Sequence, residues 1–228
     1  MQPGRRAGVS PRRQLRVLHA GLVPYREASG LQDELVVQRR AGEVPDTLIL
    51  LEHPHVITLG SSAERAHVLV GAAERDRLGI ELFEAGRGGD VTYHGPGQLV
   101  AYPIMDLKPD RKDLHAYLRD LESVLIRVAG SFGVEAVRSE GATGVWTRAG
   151  KLGAIGVRVS SGWITSHGVA LNVCSDLSFF QTIVPCGIHG RGVTSLEREL
   201  GTAPALEDVS KSLVEHFADV FDREVIVA

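Results

Sequence analysis

Two periods of apolar and polar positions run through the chain. Residues 47–52 (Thr-Leu-Ile-Leu-Leu-Glu) form a nearly continuous apolar run, the pattern of a short strand buried on both faces, and Pro54 stops it. Residues 56–59 read as another short strand, closed by Gly60. Upstream, residues 15–21 predict a first strand and residues 27–40 a helix interrupted near Gly30. Residues 63–78 predict one helix or two short helical pieces. Residues 79–84 alternate apolar and polar, which predicts a half-buried strand, and residues 99–104 predict another. The glycine-rich stretch between these two strands is expected to be a loop. There its N–H groups can cradle an acceptor at a sheet edge or end.

The clearest helix is predicted over residues 113–128. Leu114, Tyr117, Leu118, Leu121, Leu125 and Val128 fall on one stripe, which reads as core packing and not as a ligand-binding face. Gly130 and Gly133 are expected to end it. Residues 144–173 return to β patterning. Strands are predicted over 145–147, 154–159 and 163–173, with Ala149-Gly150 as a turn. A last helix over 205–221 carries Leu206, Val209, Leu213, Phe217 and Val220 on one face, with Pro204 expected in its first turn. Residues 224–227 suit an edge strand. Strands outnumber helices and hairpins dominate, so the class is α+β with a mixed or antiparallel sheet.

Composition narrows the function. The 228 residues are 43% hydrophobic and 23% charged, ordinary for a soluble domain. The net charge of −3 conceals an asymmetry, because residues 1–16 hold five arginines and no acid. The other 20 basic and 28 acidic side chains leave −8, too acidic for a nucleic-acid footprint. Residues 1–14 are expected to be a basic, flexible arm ahead of one domain over 15–228. No apolar run reaches the roughly 18 residues of a membrane helix. Two cysteines, Cys174 and Cys186, make no disulfide framework and suggest a reducing cytoplasm. No CxxC or HExxH spacing predicts a metal, and His53-Pro54-His55 reads as a strand end.

The candidate chemistry begins with Arg87-Gly88-Gly89-Asp90-Val91-Thr92-Tyr93-His94-Gly95-Pro96-Gly97-Gln98. Glycine lets backbone approach a ligand closely, at an entropic cost. The stretch lacks the Gly-Lys-Ser/Thr of a P-loop, and a strand follows it instead of the helix of a dinucleotide fold. Arg87 and His94 at its ends favour binding over a plain hairpin. Cys186, between Pro185 and Gly187, is expected on a sharp turn that projects its thiol into a site. Cys174 follows a strand and reads as a packed thiol. A thiolate needs a group that takes its proton or lowers its pKa. His189, His94, His167 and Lys151 are all available, and spacing does not choose among them.

Four motifs, in order, resemble the lipoyl(octanoyl) transferase family. They are Arg87 to Leu99, Lys151-Leu152-Gly153-Ala154-Ile155-Gly156-Val157-Arg158, His167-Gly168-Val169-Ala170-Leu171-Asn172-Val173 and Val184-Pro185-Cys186-Gly187-Ile188. Weaker similarity extends from about residue 15 to the last helix. Leu152 stands where isoleucine is more usual, and Cys174 where a polar residue is common. The resemblance implies the fold of the biotin and lipoate protein ligase catalytic domain, a large mixed sheet flanked by helices with a smaller sheet beside it. It implies transfer of an octanoyl or lipoyl group from acyl carrier protein to a lysine of lipoyl domains, those of 2-oxoacid dehydrogenases and the glycine cleavage H protein.

By the same resemblance Cys186 is the nucleophile and Lys151 its proton acceptor. Arg87, Gly88, Gly89, Asp90, Val91, Thr92, Tyr93 and His94 would line the acyl site, as would Ala154, Ile155, Gly156, Gly168, Val169 and Ala170. His167 is a possible auxiliary group. No ATP, metal, nucleic acid or membrane is implied, and a cytoplasmic monomer is expected. Three rivals stand beside this reading. An ATP-dependent lipoate or biotin ligase would need no cysteine nucleophile. A non-catalytic acyl-binding protein would need neither Cys186 nor Lys151. A papain-like thiol hydrolase would carry its cysteine near the N-terminus, whereas Cys186 is late in the chain.

Overall fold

The computed structural model describes residues 12–184 and 192–226. Cys186, His189, the last predicted strand's Val227 and residues 1–11 of the basic arm lie outside the described residues. The chain opens with β1 (Arg13–Leu22), α1 (Tyr25–Ala41), β2 (Asp46–Glu52) and β3 (Val56–Leu59). A 3₁₀ turn at Arg65–His67 and α2 (Ala72–Leu78) precede β4 (Glu81–Glu84), β5 (Val91–His94) and β6 (Gln98–Ile104). Then come α3 (Leu114–Ser131), β7 (Val137–Ser139), β8 (Ala142–Trp146), β9 (Lys151–Val159) and β10 (Thr165–Asn172). A 3₁₀ segment at Leu177–Thr182, α4 (Leu196–Leu200), α5 (Leu206–Val220) and β11 (Arg223–Ile226) complete it.

Eight strands form one mixed sheet in the order β11-β1-β2-β6-β10-β9-β8-β7, and β4-β3-β5 form a second. β1 pairs parallel with β2 and β11, and the other strands of the large sheet pair antiparallel. The expected class, a large mixed sheet with helices and a smaller sheet beside it, is the observed one.

Helices cover both faces of the large sheet, which is why β2, β6 and β10 are buried along nearly their whole length. On one face α3 and α5 bury Leu121, Leu125, Leu213 and Phe217 against Leu48, Leu99 and Leu171. On the other, Ala28 and Leu35 of α1 meet Ile49, Tyr102 and Ala170. Each fully buried large apolar side chain contributes about 1.5–3 kcal/mol. Asp113 caps α3 by accepting the Ala116 N–H at 3.0 Å.

Several local expectations change. α1 runs unbroken through Gly30, because its buried Ala28, Gln32 and Leu35 hold it on the sheet. α3 likewise continues past Gly130 to Ser131. Pro204 lies ahead of α5, whose N-cap is Ala205. The glycine-rich stretch contains a strand, β5, which pairs antiparallel with β3. β1 begins at Arg13, inside the arm expected over residues 1–14, and Arg13 bonds Asp110 at 2.8 Å and Asp46 at 3.2 Å. Among the described residues no helix is long and apolar enough to cross a membrane.

Candidate active site

Residues 85–90 connect β4 to β5 and are tied to both sheets. Ser61 N–H and Ser62 N–H donate to Arg87 O and Gly89 O at 2.9 and 3.1 Å, on the small-sheet side. Gly88 N–H donates to Val157 O of β9 at 2.8 Å, on the large-sheet side. The buried Arg87 guanidinium binds Thr58 O at 2.7 Å, Thr58 Oγ1 at 2.8 Å, Asp90 O at 2.8 Å and Gly88 O at 3.1 Å. Arg87 therefore clamps the loop to β3. Gly60, which follows β3, answers to close packing against this loop, since a Cβ on it would lie 2.1 Å from Gly89 O.

Between this loop and strands β9 and β10 lies a cavity of about 460 Å³, a size typical of small-ligand sites. Arg87, Gly88, Gly89, Asp90, Val91, Thr92 and His94 line it from the loop and β5. Lys151, Ala154, Ile155 and Gly156 line it from β9, and His167, Gly168, Val169 and Ala170 from β10. Tyr93 is the exception. Strand alternation turns its ring into the small sheet's core, stacked on Phe179 at 5.3 Å, with its hydroxyl 2.6 Å from His55 Nδ1.

Lys151 begins β9. A register shift between Val145 and Trp146 sets Lys151 opposite Trp146, with its Nζ 5.3 Å from the centre of the indole. Residues 192–194 run beside it: Lys151 N–H donates to Gly192 O at 2.9 Å and Thr194 N–H to Lys151 O at 3.0 Å. The cavity thus ends at the segment that follows Cys186 in the sequence.

One end of the cavity is rich in neutral polar rings. Gln98 Nε2 donates to Asn172 Oδ1 at 2.9 Å, so Gln98 Oε1 accepts from His94 Nδ1 at 2.6 Å. This leaves the lone pair of His94 on Nε2. Burial, with His53 and Arg87 adding repulsion, pushes the His94 pKa down to about 3. His53 donates from Nδ1 to Val23 O at 2.7 Å and accepts from the Tyr102 hydroxyl at 2.8 Å, and burial lowers it to about 4. His167 is lowered to about 4 by burial, then by Arg87 and Arg158. It adopts φ 55°, and its backbone N–H donates to Gln32 Oε1 at 2.7 Å. Its Nδ1 has no hydrogen-bond partner among the described residues. All three imidazoles are neutral near pH 7.

Cys174 is absent from the cavity lining. Burial and the carboxylates of Glu197 and Glu52 push its thiol pKa up. That setting suits a packed thiol and opposes a nucleophile.

Seven lining residues of note were not expected from the sequence. Leu114 and Leu118, taken for core, face the cavity from α3, Gly141 from the β7–β8 turn, and Ala142 and Thr143 from the start of β8. A helical stripe looks alike whether it meets a core or a cavity. Tyr25 and Tyr102 also line the cavity, and burial raises Tyr25 to about 12.

The fold, a large mixed sheet with a small sheet beside it, is the one seen in lipoate and biotin protein ligases. A bi-partite lipoate protein ligase from Thermoplasma acidophilum superposes with a TM-score of 0.69 at 15% identity, covering 95% of this chain and 88% of that one. A biotin protein ligase from Aquifex aeolicus gives 0.53 at 12%, covering 92% of this chain and 70% of its own. The chain belongs to the family of the lipoyl protein ligase A/B catalytic domain, whose model matches residues 24–218. An octanoyltransferase of Roseiflexus sp. (strain RS-1) is 49% identical over 217 residues, 94% of this chain and 90% of that protein. One of Rubrobacter xylanophilus is 54% identical over 176 residues, 77% of this chain and 79% of that protein.

Proposed function

We propose that this chain is an octanoyltransferase. It takes an octanoyl group from acyl carrier protein and places it on a lysine of a lipoyl domain, through a thioester on Cys186. The observation that carries this reading is the meeting of three separate motifs, the glycine loop, β9 from Lys151 and β10 from His167, around one cavity. The relatives' octanoyltransferase activity supplies the group transferred.

In the first step the Cys186 thiolate attacks the octanoyl thioester carbonyl. Lys151 has accepted the thiol proton and returns a proton to the departing pantetheine sulfur. One thioester replaces another, so the step is close to neutral in energy. In the second step the neutral lysine amine of the lipoyl domain attacks the acyl-enzyme. The amide forms, the C–S bond breaks, and Cys186 leaves as the thiolate while Lys151, left neutral by the first step, takes the proton that the amine sheds. An amide replaces a thioester, which is downhill, so the reaction needs neither ATP nor a metal.

Backbone N–H groups near the reacting carbonyl would stabilise its oxyanion, each by roughly 3 kcal/mol in comparable acyl transfers. The tail of about seven methylenes would gain up to about 5–6 kcal/mol on leaving water, at roughly 0.8 kcal/mol each. The neutral histidines support an uncharged acyl guest, since His94 and His167 bring no charge of their own to the cavity wall and the Arg87 guanidinium is held by Thr58 and the loop carbonyls. The acceptors are the lipoyl domains of 2-oxoacid dehydrogenases and the glycine cleavage H protein, the compartment is the cytoplasm, and the enzyme acts as a monomer.

The test is transfer from octanoyl-carrier protein to a lipoyl domain without ATP. Turnover is expected in its absence, falling by about 10³-fold or more in Cys186→Ala and by about 10²–10⁴-fold in Lys151→Ala. Activity that requires ATP and free octanoate would support a ligase instead.

A further inference from the structure

The Lys151 side chain rests on β8, and one buried carboxylate holds β8 in place. Gly144 has φ 121°, a conformation that side chains rarely adopt. A Cβ at Gly144 would lie 2.7 Å from Lys151 Cε and 3.4 Å from its Nζ. The absence of that Cβ is therefore what lets the Lys151 amine lie where it does. Gly144 N–H in turn donates to Glu122 Oε1 of α3 at 3.2 Å.

Glu122 is only 1% exposed. Its second oxygen, Oε2, accepts from Arg119 Nη1 at 2.7 Å and Arg138 Nε at 3.0 Å. Arg138 also donates to Arg119 O at 2.9 Å and Ser123 Oγ at 2.6 Å, fastening β7 to α3. Taking a carboxylate out of water is costly, and a hydrophobic side chain of similar size often stabilises a fold as well. What an apolar residue cannot do is accept on both sides at once, from the backbone of Gly144 and from the two arginines.

We infer that Glu122 is a positioning residue for Lys151. Through Gly144 it fixes the height and tilt of β8, and so the place of the amine that exchanges protons in the reaction proposed above. The inference rests on that reading for its catalytic consequence, while the geometric claim stands apart from it. Glutamine is the informative substitution. It offers one acceptor where glutamate offers two, so Glu122→Gln must give up either the Gly144 N–H or the arginines.

The experiment compares Glu122→Gln, Lys151→Ala and Val209→Ala with wild type. Val209 is a core residue of α5 outside the cavity lining, and its truncation controls for lost stability. Two readouts are taken: steady-state octanoyl transfer, and the ¹³Cε resonance of Lys151, assigned by its loss in Lys151→Ala. Glu122→Gln is expected to move that resonance and to lower kcat at least 10-fold, with KM for the octanoyl donor changed less than 2-fold. It is expected to shift the alkaline or acid limb of the kcat–pH profile, which Val209→Ala leaves in place. An unmoved Lys151 resonance with unchanged kcat overturns the inference. If Lys151→Ala keeps full activity, the role proposed for Lys151 falls, and the resonance alone then decides whether Glu122 positions it.

Discussion

Gly156 sits at a close approach between the glycine loop and β9. A Cβ there would meet Arg87 Cδ at 3.0 Å and Gly88 O at 3.1 Å, so the loop would have to move by a few tenths of an ångström. Gly156→Ala is expected to raise the KM for octanoyl-carrier protein several-fold while costing about 1–3 kcal/mol of stability. Gly130 offers the contrast. It lies inside α3 with nothing within 4 Å of its Cβ position. Gly130→Ala is expected to stabilise by about 0.5–1 kcal/mol and to leave transfer unchanged, as thermal melts and initial rates would report. Residue identity marked Arg87 and His94 as the ends of a glycine-rich run, whereas Lys151 and His167 were placed at the site only by the family resemblance. Residue identity gave no sign of Glu122, which looks like any helix glutamate until the fold buries it against Gly144.

α3 serves two purposes. Tyr117, Leu121, Leu125 and Val128 pack the core, as their stripe predicts, while Leu114 and Leu118, one turn apart at the helix start, face the cavity. Truncating Leu118 would lengthen the space open to an acyl tail. Leu118→Ala is expected to weaken the preference for octanoyl over decanoyl donors by roughly 4-fold per methylene, the worth of about 0.8 kcal/mol. Competition between the two donors measures it, and an unchanged ratio would remove Leu118 from the tail's path. Element type was legible wherever a period ran for five or more residues. β5 was missed because four residues flanked by glycines show no period. β7 was missed because its three residues lie at the sheet edge, with Val137 half exposed.

At the scale of the whole molecule, the strand order was beyond the sequence, since β1 meets β11 across nearly the full chain length. The same fold buries three histidines whose pKa values lie near 3 to 4, against about 6.5 in an unfolded chain. As the pH falls below about 6.5, the unfolded chain takes up protons that these buried rings refuse. Stability is therefore complete above that pH and is lost progressively as the pH drops toward 4. The lowered Asp110 carboxyl, drawn down mainly by Arg223, adds to the loss further into acid. Melting temperature is expected to be level from pH 7 to 8 and to fall steadily from 6.5 to 4. A flat profile across that range would contradict the neutral, buried state of the histidines. The central claim, a covalent acyl-enzyme on Cys186, is tested most directly by intact mass. After incubation with octanoyl-carrier protein and denaturation, wild type should gain one octanoyl group, and Cys186→Ala should gain none. An unmodified wild type that still transfers octanoyl, or a Cys186→Ala variant with normal turnover, would contradict it.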